Sequence, residues 1–115
     1  MNSWIGVDLD GTLAEYNGWV NELHIGEPIP QMVERVQTWL GEGQEVRIFT
    51  ARVSPQDRAN MTIEEIRKTI QDWTEKHVGE RLPVTNQKDF GMIELWDDRC
   101  VQVIPNTGIP VKEVI

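Results

Sequence analysis

Residues 4–13 of the chain read WIGVDLDGTL, and this stretch decides both the expected fold and the expected chemistry. Its first four residues are apolar, which predicts a short strand that is buried on both faces of a sheet. The strand runs directly into Asp8 and Asp10, two carboxylates one residue apart, which in an extended segment point to the same side. Gly11 then allows the backbone to turn and to approach a ligand closely. We interpret the stretch as a buried strand whose end presents a carboxylate pair.

Downstream of this stretch, helical and strand patterns alternate. Apolar residues recur at helical spacing from residue 31 to residue 40, and a second helical stripe follows Thr62 and Glu65, which together form a capping box. Short apolar runs predict five strands, at residues 4–7, 46–49, 82–84, 92–96 and 101–104. Strands that alternate with helices imply right-handed parallel crossovers. The predicted fold is a single α/β domain over residues 1–115, a three-layer Rossmann-like sandwich with a mostly parallel central sheet of about five strands.

The composition limits the classes of partner. The chain has 115 residues, the size of one domain, and a net charge of −8, which gives no electrostatic footprint for general nucleic-acid or anionic-membrane binding. Its one cysteine, Cys100, cannot form an intrachain disulfide. No apolar run approaches the roughly 18 to 20 residues of a membrane span, and the first residues do not resemble a signal peptide. We therefore expect a soluble, cytoplasmic protein that does not associate with membranes.

Polar residues follow several of the predicted strands. In parallel sheets covered by helices, ligands bind at the carboxyl ends of the strands. This rule selects the following residues: Asp8 and Asp10, Thr50 and Arg52, Asp97 and Asp98, and, after a short loop, Lys88. Together they offer the carboxylates, hydroxyl and cations that a phosphate group and a divalent cation require.

Three or more carboxylates at one place need a counter-charge. Two like unit charges about 4 Å apart repel by roughly 4 kcal/mol at an effective dielectric constant of 20. Oxygen ligands favour a hard cation, so Mg²⁺ is the first candidate, and the two isolated histidines, His24 and His77, do not form a zinc pattern. A carboxylate can also attack a phosphoryl group and form an aspartyl-phosphate, provided that Mg²⁺ and a lysine such as Lys88 neutralise the charge.

These residues resemble, in the right order, the four motifs of the haloacid dehalogenase-like (HAD) superfamily of phosphatases. The first motif is similar to residues 4–13 and the second to residues 46–50, VRIFT. The third motif is represented by Lys88, and the fourth is similar to residues 95–99, LWDDR. The resemblance spans nearly the whole chain.

By that resemblance, Asp8 is the nucleophile, and Asp10 is the general acid that protonates the leaving group and then the base that activates water. Thr50 and Lys88 hold the phosphoryl group. The implied Mg²⁺ ligands are Asp8, the backbone carbonyl of Asp10, and Asp97, with Asp98 in support. The superfamily's dehalogenases lack the second aspartate, so the D-x-D pattern favours phosphoryl transfer.

The spacing of the motifs leaves no room for a cap domain, which many members of the superfamily insert. Thr50 follows Asp10 by 40 residues and Lys88 follows Thr50 by 38, and the predicted helices fill most of both intervals. A short flap, residues 13–28, is the segment left to cover the site; Tyr16, Trp19 and His24 lie in it. A capless site in this superfamily often goes with macromolecular substrates or with a neighbouring subunit that acts as the lid. For Arg52 two roles stay open, contact with substrate or an ion pair that supports the loop.

Other phosphate chemistries do not match the sequence. The chain has no G-x-x-x-x-G-K-[ST] loop, and Cys100 is followed six residues later by Asn106, where a cysteine phosphatase has arginine. In response-regulator receivers the acidic residues precede the threonine, whereas Asp97 and Asp98 come last in this chain.

The sequence therefore predicts a Mg²⁺-dependent phosphomonoesterase that acts through an aspartyl-phosphate on Asp8. Its substrate class is a phosphorylated small molecule or the phosphorylated end of a macromolecule. Two alternatives stay open. One is a HAD-fold module that binds Mg²⁺ or a phosphorylated ligand without turnover. The other is a phosphatase specific for nucleotides or nucleic-acid ends, in which Trp19 stacks on a base. The oligomeric state is not defined by the sequence.

Overall fold

A four-stranded parallel sheet forms the centre of the structure, a computed structural model that describes residues 3–55 and 61–112. The strands are β1 (Trp4–Val7), β2 (Glu45–Phe49), β3 (Val84–Thr85) and β4 (Met92–Trp96), in the order β3-β2-β1-β4. Each neighbouring pair is parallel. The helices are α1 (Pro30–Gly41) and α2 (Ile63–His77), and a short 3-10 turn covers Ala51–Val53. The expectation of an α/β fold with a parallel sheet is confirmed.

Local sequence signals account for both helices. Pro30 stands at the start of α1, where its fixed φ suits a first helical turn and its missing N–H costs no helical hydrogen bond. The predicted capping box opens α2, since the Glu65 N–H donates to the Thr62 hydroxyl oxygen at 3.1 Å. The Glu65 carboxylate accepts from the Thr62 N–H at 2.9 Å. The second helix, α2, therefore begins at its predicted cap, and α1 begins one residue before the helical stripe that the sequence predicts from residue 31.

Both helices pack on the same face of the sheet. One apolar core joins Ile5 and Val7 of β1, Val46 and Ile48 of β2, Met32 and Val36 of α1, and Ile66 and Ile70 of α2. The strand order gives the reason. The steps from β1 to β2 and from β2 to β3 go in the same direction, and right-handed crossovers in one direction place their helices on one face. The described residues therefore show two layers and four strands, and the finer expectation of three layers and about five strands is not confirmed.

The second face of the sheet is covered by side chains and by the link between β3 and β4. Trp4 is fully buried there, and its indole N–H donates to Asp89 of the link at 2.7 Å. The guanidinium of Arg47 lies 4.4 Å from the centre of the Trp4 ring. A Cβ added to Gly6 would come within 3.2 Å of both Trp4 and Leu95. Glycine at position 6 therefore lets the indole lie close to the sheet.

Two further expectations concern the segments outside the core. Residues 101–104 were expected to form a strand, and this prediction is wrong. They enter an exposed hairpin in which Val103 and Pro110 make an isolated bridge. Between β1 and α1 the chain makes only the isolated bridges of Asp10 with Ala14 and of Ala14 with Pro28, so the described residues hold no cap domain. Neither described helix has the length and apolar character needed to cross a membrane.

Candidate functional site

The carboxyl ends of β1, β2 and β4 open into a cavity of about 900 Å³. Six of the seven residues predicted from the strand ends line it: Asp8, Asp10, Thr50, Arg52, Asp97 and Asp98. The strand register explains why they meet. Val7 pairs with Ile48 on one side and with Trp96 on the other, so Asp8, Phe49 and Asp97 follow at one level, and Thr50 comes one residue beyond Phe49. The Asp8 N–H donates to the Trp96 carbonyl at 2.9 Å and continues this alignment beyond β1.

Three carboxylates form the acidic corner of the cavity: Asp8, Asp97 and Asp98. One oxygen from each lies within 4.8 Å of the others. The pKa of Asp8 is raised from its ordinary value of 3.8 to about 7, chiefly by burial, and also by the nearby charge of Asp97, by a hydrogen bond with Asp98 and by the charges of Asp98 and Asp10. The ion pairs seen among the described residues involve other carboxylates. The corner therefore concentrates negative charge, and its oxygen ligands fit a hard divalent cation such as Mg²⁺.

The turn after Asp8 is shaped to meet this corner. Gly11 has φ of +90°, and a Cβ at this position would lie 2.4 Å from a carboxylate oxygen of Asp98. The neighbouring Thr12 hydroxyl accepts from the Asp98 N–H at 3.1 Å and lies 3.5 Å from the Asp98 carboxylate. The first and fourth motifs are thus joined directly by Gly11 and Thr12, which gives both residues a role that the sequence did not assign.

Asp10 has a different environment from Asp8, although one residue separates them. Its two carboxylate oxygens accept from Nε and Nη2 of Arg52, both at 2.8 Å. The same guanidinium donates to the backbone carbonyls of Glu22, at 3.2 Å, and His24, at 2.8 Å, in the flap. Of the two roles left open for Arg52, the ion pair that supports the loop is the one observed.

Thr50 is placed to bind a ligand through its hydroxyl. The side chain is almost completely buried at the end of β2, and its oxygen accepts from the Arg52 N–H at 3.1 Å. This bond uses the hydroxyl as an acceptor, so its proton can be donated to a phosphoryl oxygen.

Lys88 does not line the cavity. It is exposed in the link between β3 and β4. The next residue, Asp89, bonds to Trp4 and contacts Arg47 at 3.5 Å on the second face of the sheet, so the link leads away from the carboxyl edge after Thr85. The structure therefore brings the other six predicted residues together and leaves Lys88 apart.

Four of the described residues that line the cavity were not predicted as site residues: Glu22, Phe49, Ala51 and Arg99. Arg99 directly follows the carboxylate pair of the fourth motif, which was the signal available in the sequence. Its N–H donates to the Asp97 carboxylate at 2.8 Å. Glu22 is reached only because the flap folds back over Arg52, which no local pattern indicates.

The flap forms one wall of the cavity. Tyr16 and Trp19 line the cavity and remain about half exposed, and the centre of the Trp19 ring lies 5.0 Å from the guanidinium of Arg52. His24 lines a second, smaller cavity of about 230 Å³ on the flap side of Asp10. Of the three flap residues named from the sequence, Trp19 therefore lines the larger cavity, His24 the smaller one and Tyr16 both.

The comparison with known proteins gives information on the fold alone. No family model matches the chain, and no curated protein matches it. Among solved structures, the chain is similar to a conserved protein of Bacteroides thetaiotaomicron, with a TM-score of 0.61 and 22% sequence identity. The similarity covers 92% of this chain and 84% of that one.

Proposed function

We propose that the protein is a Mg²⁺-dependent phosphomonoester hydrolase that acts through an aspartyl-phosphate on Asp8. The observation that carries the proposal is the separation of the first motif's two carboxylates. Asp8 lies in the acidic corner with Asp97 and Asp98, whereas both oxygens of Asp10 are held by Arg52. Two carboxylates with distinct environments suit a nucleophile and a separate acid–base group. The resemblance to HAD phosphatases supports the same assignment.

In the proposed reaction an oxygen of Asp8 attacks the phosphorus atom, and the bond to the leaving-group oxygen breaks. Asp10 donates a proton to that oxygen. In the second step Asp10 takes a proton from water, which attacks the phosphorus atom, releases inorganic phosphate and restores Asp8. The Thr50 hydroxyl donates a hydrogen bond to a phosphoryl oxygen. Mg²⁺, held by Asp8, Asp97 and the Asp10 carbonyl with Asp98 in support, supplies charge neutralisation when bound.

The substrate is a phosphorylated small molecule or the phosphorylated end of a macromolecule. A cavity of about 900 Å³ lies in the size range of sites that hold a complete small ligand, so it has room for more than a phosphoryl group. Trp19 offers an exposed ring at its edge, as stacking on a nucleotide base would require.

The direct test is release of inorganic phosphate from an aryl phosphate, with Mg²⁺ or with EDTA. We expect wild-type activity only with Mg²⁺, and none from Asp8→Asn. Glu34→Gln is the matched control, because it removes an exposed carboxylate of α1 that lies outside the cavity lining. Full Mg²⁺-dependent activity in Asp8→Asn would refute the mechanism. A panel of sugar phosphates, nucleotides and phosphorylated oligonucleotides would then identify the substrate.

A module that binds Mg²⁺ or a phosphorylated ligand without turnover is the second candidate. The position of Lys88 favours it, because the lysine implied by the family's third motif lies outside the cavity lining. Calorimetric titration that shows Mg²⁺ binding, together with no phosphate release from the whole substrate panel, would favour this module over the enzyme.

A further inference from the structure

We infer that Arg52 is a positioning residue that ties the flap to Asp10, so that the flap and the acid–base group keep one relative geometry. The inference rests on the proposed function for its catalytic consequence. It rests on the structure for the physical link. It assigns to Arg52 an action through Asp10 and through the flap backbone, not a direct contact with substrate.

The link is a single rigid group with partners on both sides. Nε and Nη2 of Arg52 donate to the two oxygens of Asp10 at 2.8 Å, while Nη1 and Nη2 donate to the carbonyls of Glu22 and His24. A guanidinium is planar and its five N–H donors have fixed directions. The Asp10 carboxylate and the two flap carbonyls all bond to the plane of this guanidinium. Their positions are therefore fixed relative to one another.

The flap tip, residues 16–25, has few other attachments apart from Ile25 at its end, which packs against the core. Its remaining hydrogen bonds among the described residues are local, from the N–H groups of Leu23 and His24 to Asn21. Attachments closer to the flap's base come from Trp73, which donates to the Gly26 carbonyl at 3.2 Å, and from the bridge of Ala14 with Pro28. In the described part of the chain, Arg52 thus supplies the hydrogen bonds that join the tip to the sheet.

Burial makes the link specific to arginine. The Arg52 side chain is only 6% exposed, and its guanidinium also lies over the Trp19 ring. A lysine has one point charge and no fixed fork, so it cannot hold both Asp10 oxygens and two carbonyls at once.

The link through Arg52 is compatible with the chemistry proposed for Asp10. Each carboxylate oxygen has two lone pairs, and Arg52 occupies one on each. The other lone pair of either oxygen stays available for proton exchange with a leaving group or water. Arg52 therefore fixes the plane of the carboxylate without replacing its function.

The kinetic test combines substitutions of Arg52 and of Asp10, the two residues that form the ion pair of the link. We expect Arg52→Gln to lower kcat by about 10²-fold, the effect of small misplacement of a reacting group, with a smaller change in KM. In an Asp10→Asn background the same substitution should lower kcat by less than about threefold, because residues that act as a unit are not additive. Arg52→Lys should restore only part of kcat. Additive losses, or a raised KM with unchanged kcat, would indicate direct substrate contact and overturn the inference.

A second readout does not require activity. Hydrogen exchange should become faster in Arg52→Gln at the amides of Leu23 and His24, the flap-tip amides that are hydrogen-bonded, while the amides of β1 and β2 keep their protection. Arg81→Gln is the matched control, because it removes an arginine–aspartate pair with Asp72 on the surface of α2. Unchanged flap exchange in a folded Arg52→Gln protein would overturn the link. If Arg52→Gln does not fold, Arg52→Lys provides both measurements.

The two readouts separate the inference from the proposed function. A wild-type protein without phosphatase activity refutes the proposed function, and flap exchange alone then decides whether Arg52 forms the link. A wild-type phosphatase whose kcat and flap exchange are both insensitive to Arg52→Gln refutes the inference and leaves the function standing.

Discussion

Two regions of the same cavity differ in what surrounds their carboxylates: other carboxylates in one region, and an arginine in the other. In the acidic corner, Asp8, Asp97 and Asp98 approach one another, and the pKa of Asp8 rises to about 7 through burial and these neighbours. Two residues along the chain from Asp8, Asp10 is matched by the buried guanidinium of Arg52. The difference is consistent with the proposal that Mg²⁺ binds in the acidic corner, whereas Asp10 already has a cationic partner in Arg52.

The largest expected effect separates the two regions by chemistry. Asp8→Asn should abolish phosphate release, because it removes the attacking oxygen, whereas Asp10→Asn should lower kcat by about 10² to 10⁴-fold, the usual contribution of general acid–base catalysis. Single-turnover phosphate release measures both variants. Equal losses in the two variants would contradict the division of roles.

The affinity for Mg²⁺ should also distinguish the two regions, because it should depend on the carboxylates of the acidic corner and not on the side chain of Asp10. Loss of a residue that only supports a metal ligand typically weakens metal affinity by about 10 to 100-fold. Asp97→Asn removes a proposed direct ligand, so it should weaken Mg²⁺ binding by about 10²-fold or more. Asp10→Asn should change the affinity by less than about threefold, because only the backbone carbonyl of Asp10 is a proposed ligand. Isothermal titration calorimetry with Mg²⁺ tests the contrast, and equal weakening by both variants would remove it.

A smaller effect, on the free energy of unfolding, is expected when Gly11 is replaced, because Gly11 packs against Asp98 of the acidic corner. Gly11→Ala should reduce the free energy of unfolding by about 1–2 kcal/mol from its left-handed φ, with a further cost from the clash with Asp98. Gly43→Ala is the matched control, because Gly43 has φ of +83° and an added Cβ there would meet nothing within 4 Å. Urea denaturation of both variants isolates the clash as their difference, and equal losses would show that Asp98 moves away without cost.

The smallest effect concerns stability and pH in the metal-free protein. Because the pKa of Asp8 is higher in the folded state, about 7, than its ordinary value of 3.8, folding favours its protonated form. This contribution to stability is complete at low pH and is lost as pH rises through about 7. The difference in Tm, wild type minus Asp8→Asn, should therefore fall between about pH 4.5 and about pH 7.5 in EDTA.

Added Mg²⁺ should raise the wild-type Tm more at the higher pH, where Asp8 is ionised and able to bind it. Thermal denaturation with and without Mg²⁺ at both pH values is the measurement. A Tm difference that rises with pH in EDTA would show that the corner is already neutralised within the chain.

Much of the site could be predicted because strand ends and helix caps are local signals. Asp8, Thr50 and Asp97 each follow a short apolar run, and parallel pairing then brings such residues to one edge. Thr62 and Glu65 likewise mark the start of α2 within four residues of sequence. These predictions needed only the general rule for parallel sheets.

The predictions that the structure does not confirm are those that depend on the path of the chain between elements. Lys88 follows β3 closely, but its link turns onto the second face of the sheet, where Asp89 bonds to Trp4. The expected third layer depended on the direction of the crossovers, which is a property of strand order. The apolar residues at 101–104 form part of an exposed hairpin, since apolar character alone does not create a neighbouring strand.

By itself, the sequence determined the alternation of strands and helices, the capped start of α2 and the carboxylates at the end of β1 and β4. These follow from periodicity and capping, which act over a few residues. Only the tertiary structure decided that Arg52 pairs with Asp10 and the flap, that both helices cover one face and that Lys88 lies apart. These outcomes depend on contacts between residues distant in the chain, such as the 42-residue separation of Arg52 from Asp10, which no local pattern encodes.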